Sequence, residues 1–234
     1  MIKEGFSKEL LASYIDHTLL RPQAQEADIL KLCSEANDYG FSSVCVAPVW
    51  AEVIAQKGSL LPTVHLCTVI NFPFGNHFSL HKTLRDELIS LKTKVDEFDI
   101  VLPLGFSLDL NNKLNAIDDY LAVCTQALYP KTTKLIIETS ELPDDTIIEL
   151  CKIAMRWRIN FVKTSTGFAS AGANVRVVEL MRKAIGDEGK IKASGGIKTF
   201  QQTKDLIAAG ADRIGTSNAI AIIKEWEKLS AKEE

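Results

Sequence analysis

Short apolar runs alternate with amphipathic stretches along nearly the whole chain, and this alternation constrains the fold more than any other feature. Eight runs read as strands: Tyr14–His17, Ser42–Ala47, Val64–Asn71, Glu97–Pro103, Lys134–Thr139, Phe161–Ser165, Lys190–Ser194 and Arg213–Thr216. Helical patterns lie between them. In Glu26–Asn37, residues Ile29, Leu30, Leu32, Cys33 and Ala36 recur at three- and four-residue spacing. The others are Leu80–Lys94, Asn115–Leu128, Asp144–Met155, Val175–Ile185, Phe200–Ala209 and a stretch starting near Ala219. Tyr39-Gly40 and Ala209-Gly210 supply local stops, because glycine takes the left-handed conformation that ends a helix. Strand–helix alternation of this kind implies a parallel sheet. Eight units in 234 residues average about 29 residues each, which favours a closed barrel over an open doubly wound sheet. No Gly-x-Gly-x-x-Gly follows the first strand, which weakens the dinucleotide-binding alternative. The expected fold is α/β, a (β/α)8 TIM barrel, with residues 1–234 forming a single domain.

Composition sets the outer limits. Hydrophobic residues at 46% supply one large core, and a net charge of -3 gives no basic face for nucleic acid and no polybasic membrane patch. Charges interrupt the N-terminus too early for a secretory signal, and no apolar run approaches the roughly 20 residues of a membrane helix. The five cysteines lack close pairing and sit among apolar neighbours, as in Ser43-Val44-Cys45-Val46, so they read as buried reduced thiols. A soluble, cytoplasmic protein is expected.

Barrel chemistry gathers at the C-terminal ends of the strands. The sixth strand carries Lys163 and the seventh Lys192, each followed closely by glycine turns. Period-two alternation sets Val162, Ile191 and Ala193 on one face, and Lys163 and Lys192 on the other. If the apolar set meets the helices, both lysines point into the barrel on neighbouring strands. Paired buried ammoniums are costly, and the expected response is a lowered pKa for one of them. A neutral lysine is a nucleophile towards a carbonyl carbon; the structural alternative is a surface charge or half of a buried salt bridge. Asp99, within the apolar run of the fourth strand, can neutralise Lys192 and shuttle protons. Asp16 and Glu138 are further internal acids, suited to positioning hydroxyls or balancing charge, and Cys45 is a candidate pocket residue.

Gly195-Gly196 closes the seventh strand, and Gly215-Thr216-Ser217-Asn218 closes the eighth just before a helix. Glycines let backbone N–H groups approach an anion, and a helix N-terminus adds a favourable dipole, so these turns read as a phosphate cradle. Thr166 and Gly167 can add donors from the neighbouring strand. His77 and His81 share metal-pair spacing, but no third histidine or cysteine follows at ligand spacing, so no metal site is expected. No organic cofactor is expected either. His17 is suited to orienting local hydrogen bonds, and Trp226 to packing the last helix.

The blocks Ile15-Asp16-His17-Thr18-Leu19-Leu20-Arg21-Pro22, Asp96-Glu97-Phe98-Asp99, Phe161-Val162-Lys163-Thr164-Ser165-Thr166-Gly167-Phe168 and Ile191-Lys192-Ala193-Ser194-Gly195-Gly196-Ile197 resemble those of deoxyribose-phosphate aldolases, and run in that family's order. So do Ser43-Val44-Cys45-Val46, Ile136-Ile137-Glu138-Thr139 and Arg213-Ile214-Gly215-Thr216-Ser217. The resemblance implies a class I aldolase that reversibly cleaves 2-deoxy-D-ribose 5-phosphate to D-glyceraldehyde 3-phosphate and acetaldehyde. Lys163 then matches the Schiff-base lysine, and Lys192 with Asp99 the proton-transfer pair. A small sugar phosphate is the implied partner, and a homo-oligomer, dimer or tetramer, the implied assembly. The chain departs from the family's pattern at Ala47, Asn71 and Asn218, and it lacks the C-terminal tyrosine of some members. The competing readings are a sugar-phosphate isomerase on the same barrel and a non-catalytic sugar-phosphate sensor.

Overall fold

The computed structural model describes residues 6–76 and 82–232. Eight parallel strands close into one barrel in chain order: β1 (Ile15–Leu19), β2 (Ser43–Val46), β3 (His65–Ile70), β4 (Glu97–Val101), β5 (Thr132–Ile136), β6 (Phe161–Lys163), β7 (Lys190–Ser194) and β8 (Arg213–Thr216). β8 pairs back onto β1 through Ile15 opposite Ile214, which leaves no sheet edge. The fold is the expected (β/α)8 barrel.

Helices fill the crossovers: α1 (Lys8–Ser13), α2 (Glu26–Tyr39), α3 (Pro48–Lys57), α4 (Lys82–Lys92), α5 (Leu104–Leu108), α6 (Leu110–Leu128), α7 (Asp144–Arg156), α8 (Val175–Ile185), α9 (Phe200–Ala208) and α10 (Ala219–Ser230). Their ends follow local chemistry. Gly40 caps α2 at φ 67, a left-handed conformation that costs glycine nothing. Thr199 and Gln202 cap the start of α9 reciprocally, and Asn174 accepts from Val177 N–H at the start of α8. Three helices, α1, α3 and the five-residue α5, were not expected. α1 is short, buries Leu11 and Ala12, and docks on α10 through a 2.7 Å Lys8–Glu227 pair. α3 begins with Pro48 in its first turn, where the missing N–H carries no penalty. His77 and His81, and the start of the expected helix Leu80–Lys94, lie outside the described residues.

The period-two pattern partitions the strands as expected. Val44, Leu66, Phe98, Ile100, Leu135, Val162, Ile191, Ala193 and Ile214 join the large core between sheet and helices. That leaves the barrel interior to the alternate residues, which are mostly polar: Asp16, Glu97, Asp99, Lys134, Lys163 and Lys192 are all at most 2% exposed. A small apolar cluster of Cys45, Cys67 and Val69, flanked by Leu20 and Phe72, completes one side. All five cysteines are free and buried. No helix among the described residues is long and apolar enough to cross a membrane.

Candidate active site

The sheet register brings the charged side chains together. Lys163 is the Cα partner of Lys192 across β6 and β7, and Asp99 of Lys134 across β4 and β5. The Nζ atoms of Lys163 and Lys192 both lie 2.7 Å from the same oxygen of Asp99, Oδ2. Lys134, on β5, reaches the other oxygen, Oδ1, at 2.9 Å. Lys192 also pairs with Asp16 at 2.5 Å, and Lys134 with Glu97 at 2.7 Å. Arg213 closes the cluster on Asp16 at 2.5 Å.

Three carboxylates therefore face four cations in the barrel interior, where Asp16, Asp99, Lys134 and Lys192 are wholly buried. Such a network is stable only if every charge is answered, and each charge here has a partner. The electrostatics of Lys192 follow from its two carboxylate partners. Burial by itself would lower the pKa of Lys192, but Asp16 and Asp99 outweigh it and hold this ammonium well above its ordinary value. Burial would likewise push Asp99 up, and Lys134, Lys163 and Lys192 together hold it well below the usual carboxylate range. The expected lowering does not fall on Lys192, because a second carboxylate, Asp16, answers its charge alongside Asp99.

Lys163 differs from its neighbours in two respects. It pairs with one carboxylate, where Lys192 pairs with two and Lys134 approaches three. It also lines a cleft of about 880 Å³, together with Thr166, Gly167, Gly195, Gly196, Gly215, Ser217 and Asn218. The candidate cradle thus opens onto the same space as the amine. Gly195, at φ 89, packs against Gly172, and a Cβ there would come within 2.9 Å of the Gly172 Cα. Gly215 leaves room for Lys192: a Cβ would lie 3.0 Å from the lysine Cε and 3.0 Å from Ser194 Cβ. α10 starts directly after Asn218, and Asn218, Ile220 and Ala221 at its N-terminus line the cleft, where a helix leaves N–H groups without intrahelical partners.

Asp16 and Cys45 do not line that cleft. Asp16 is wholly buried and is engaged by Arg213 and Lys192. Cys45 sits 3.9 Å from Asp99, and its register partner Cys67 hydrogen-bonds it and lowers its pKa, against burial. Cys45, Cys67 and Asp99 offer ligand atoms within 4.8 Å of one another. Three ammonium groups already occupy the Asp99 oxygens, so this donor set suits cations of the protein better than a dication. Glu138 adopts a left-handed φ of 57 at the end of β5 and accepts from the Thr166 N–H and hydroxyl, fixing the loop after β6. His17 lies at the cleft and bonds Glu35 at 2.8 Å.

Lys134, Glu97 and Arg213 were not singled out from sequence as members of the site. Glu97 and Arg213 open their strands, where a polar residue looks like ordinary strand-end punctuation, and Lys134 follows two threonines that give β5 no apolar phase. The inward phase of Asp99 extended two residues back would have found Glu97.

No family model matches the chain. It is 42% identical to a deoxyribose-phosphate aldolase of Caldicellulosiruptor saccharolyticus, over 94% of this chain and 99% of the relative. A deoxyribose-phosphate aldolase of Bdellovibrio bacteriovorus is 41% identical over 92% of this chain and 96% of its own. Among solved structures, an aldolase described as QR15 superposes with a TM-score of 0.87 at 30% identity, covering 96% of this chain and 99% of that one. The tetrameric deoxyribose phosphate aldolase of Aeropyrum pernix superposes with a TM-score of 0.79 at 30% identity, covering 95% and 93%. With identities of this size over nearly the full length, on a barrel whose interior lysines converge on one carboxylate, the chain belongs to the deoxyribose-phosphate aldolase family and is a lyase.

Proposed function

We propose that the chain catalyses the reversible cleavage of 2-deoxy-D-ribose 5-phosphate into D-glyceraldehyde 3-phosphate and acetaldehyde through an imine on Lys163. The observation that carries this reading is the convergence of Lys163 and Lys192 on one Asp99 oxygen, with Lys163 alone of the two lining the cleft. The Lys163 amine, on giving up its proton, adds to the C1 aldehyde of the open-chain sugar, and water leaves to give an iminium. Removal of the C3 hydroxyl proton then breaks the C2–C3 bond. C3 becomes the aldehyde carbon of glyceraldehyde 3-phosphate, and the bonding electrons pass to C2 and into the iminium as an enamine. Protonation at C2 and hydrolysis of the imine release acetaldehyde and restore the amine.

Asp99 and Lys192 are the proton carriers in this scheme, Asp99 as acceptor and the Lys192 ammonium as donor. Gly167, Gly195, Gly196, Ser217 and Asn218 with the α10 N-terminus hold the phosphate, which fixes the distance from anchor to carbonyl. Asp16 acts by holding Lys192 and Arg213, and Cys45 forms part of the apolar wall beside Asp99. The assembly is a homo-oligomer, a dimer or tetramer, in line with the tetrameric relative of Aeropyrum pernix.

The test is turnover of 2-deoxyribose 5-phosphate with both products quantified. Stoichiometric glyceraldehyde 3-phosphate and acetaldehyde, abolished by Lys163→Leu, supports the reading. Conversion to an isomeric sugar phosphate points instead to an isomerase, and binding without turnover to a sensor.

A further inference from the structure

The interior network does not stop at the Lys163 end of the barrel. β4 carries a second inward carboxylate, Glu97, two residues before Asp99 and nearer the N-terminal end of the strands. Its Oε1 lies 2.9 Å from Nδ1 of His65, the first residue of β3. Its Oε2 lies 2.7 Å from Lys134 Nζ, which lies 2.9 Å from Asp99 Oδ1, and Asp99 Oδ2 in turn holds Lys163 at 2.7 Å. The His65 side chain is 52% exposed, whereas that of Glu97 is 2% exposed. An unbroken line of ion pairs therefore runs from solvent at one end of the barrel to the cleft amine at the other.

We propose that His65 is a positioning residue for the aldolase reaction, which acts through Glu97 and Lys134 and sets how firmly Asp99 holds the Lys163 amine. This rests on the reading of Lys163 as the imine-forming residue. A protonated His65 takes part of the charge of Glu97, so Lys134 stays with Asp99, and Asp99 grips Lys163 less. When His65 loses its proton, Glu97 draws on Lys134, and Asp99 turns to Lys163 for compensation. Chains of buried ion pairs respond as units, because a low dielectric leaves no solvent to absorb a change at one member.

The groups that face His65 are few. Glu97 and Asp96 come from the β4 side, and Arg213 approaches from β8, 3.5 Å from Glu97 Oε2. Lys131 lies 4.0 Å from Asp96, and Ser43, the register partner of His65 on β2, carries no charge. The Glu97 hydrogen bond raises the imidazole pKa above its ordinary value, burial and Arg213 opposing.

The test compares pH profiles of kcat for the wild type, His65→Arg and His65→Asn. Arginine keeps a permanent positive charge beside Glu97, and asparagine keeps a donor without one. The wild type should show a downward step of about threefold as His65 deprotonates. The arginine variant should lack the step and stay on the upper branch at alkaline pH, and the asparagine variant should follow the lower branch at acid pH. Three superimposable profiles would overturn the proposal. A second readout needs no turnover: the His65 imidazole, titrated by NMR, should shift to higher pH in Lys163→Gln, which removes a cation from the far end of the line. An unchanged titration overturns the coupling. If that shift appears while no protein cleaves the sugar phosphate, the coupling stands and the aldolase reading fails instead.

Discussion

Lys163 and Lys192, register partners on adjacent parallel strands, share a single oxygen of Asp99 at 2.7 Å each. The two amines that share this oxygen have unlike surroundings. Lys192 is locked between Asp16 and Asp99 and kept cationic, while Lys163 has one partner and an open cleft.

Replacing Lys192 by Met should therefore damage two properties at once. Removal of the cation leaves Asp16 and Asp99 short of a buried partner, at a cost of about 3 kcal/mol. Turnover should fall by roughly a hundredfold or more through loss of proton transfer. Chemical denaturation and kcat measured on the same preparation check both.

Gly215→Ala should mimic part of that loss without touching a charge. The new Cβ would press on Lys192 Cε and Ser194 Cβ at 3.0 Å, displacing the ammonium from Asp99. A drop in kcat of about tenfold is expected, with a stability cost of about 1–2 kcal/mol. A crystal structure of the variant should show Lys192 shifted.

Glu138 tests the cradle. It accepts from both the Thr166 N–H and hydroxyl, and burial raises its pKa above the usual carboxylate value. Glu138→Ala releases the loop after β6, so KM for the phosphorylated sugar should rise about tenfold with a smaller change in kcat. Steady-state kinetics separates the two.

How much of this was legible in the sequence depended on contrast with neighbouring residues. Lys163 and Lys192 interrupt apolar runs, so their inward phase could be read from Val162, Ile191 and Ala193. Lys134 follows Thr132-Thr133 at the start of β5, where polar residues carry no phase signal, and its burial emerges only from the register with Asp99. The same strand was expected at Lys134–Thr139 and ends instead at Ile136, because Glu138 turns left-handed, a conformation an ordinary glutamate does not advertise. α6 starts at Leu110 rather than Asn115, since Asn111-Asn112-Lys113 is a polar first turn facing solvent. Pairing of cations with carboxylates across the barrel is a tertiary property, which explains why the inward lysine pair was legible in the sequence and the second carboxylate on Lys192, Asp16, was not.

His17 gives a stability prediction of defined sign. Burial lowers its pKa, with the Glu35 hydrogen bond opposing. A histidine depressed in the folded state contributes stability that is complete above its unfolded value near 6.5 and is lost as the pH falls through the folded value. Thermal midpoints should therefore decline below about pH 6.5, and His17→Asn should flatten that decline.

The most direct test of the central claim is reductive trapping. The protein is incubated with acetaldehyde and borohydride, digested, and the modified lysine located by mass spectrometry. The account predicts an ethyl group on Lys163, accumulating in step with loss of activity, and none on Lys134 or Lys192. Full inactivation with Lys163 unmodified, or activity that survives borohydride with acetaldehyde present, would contradict it.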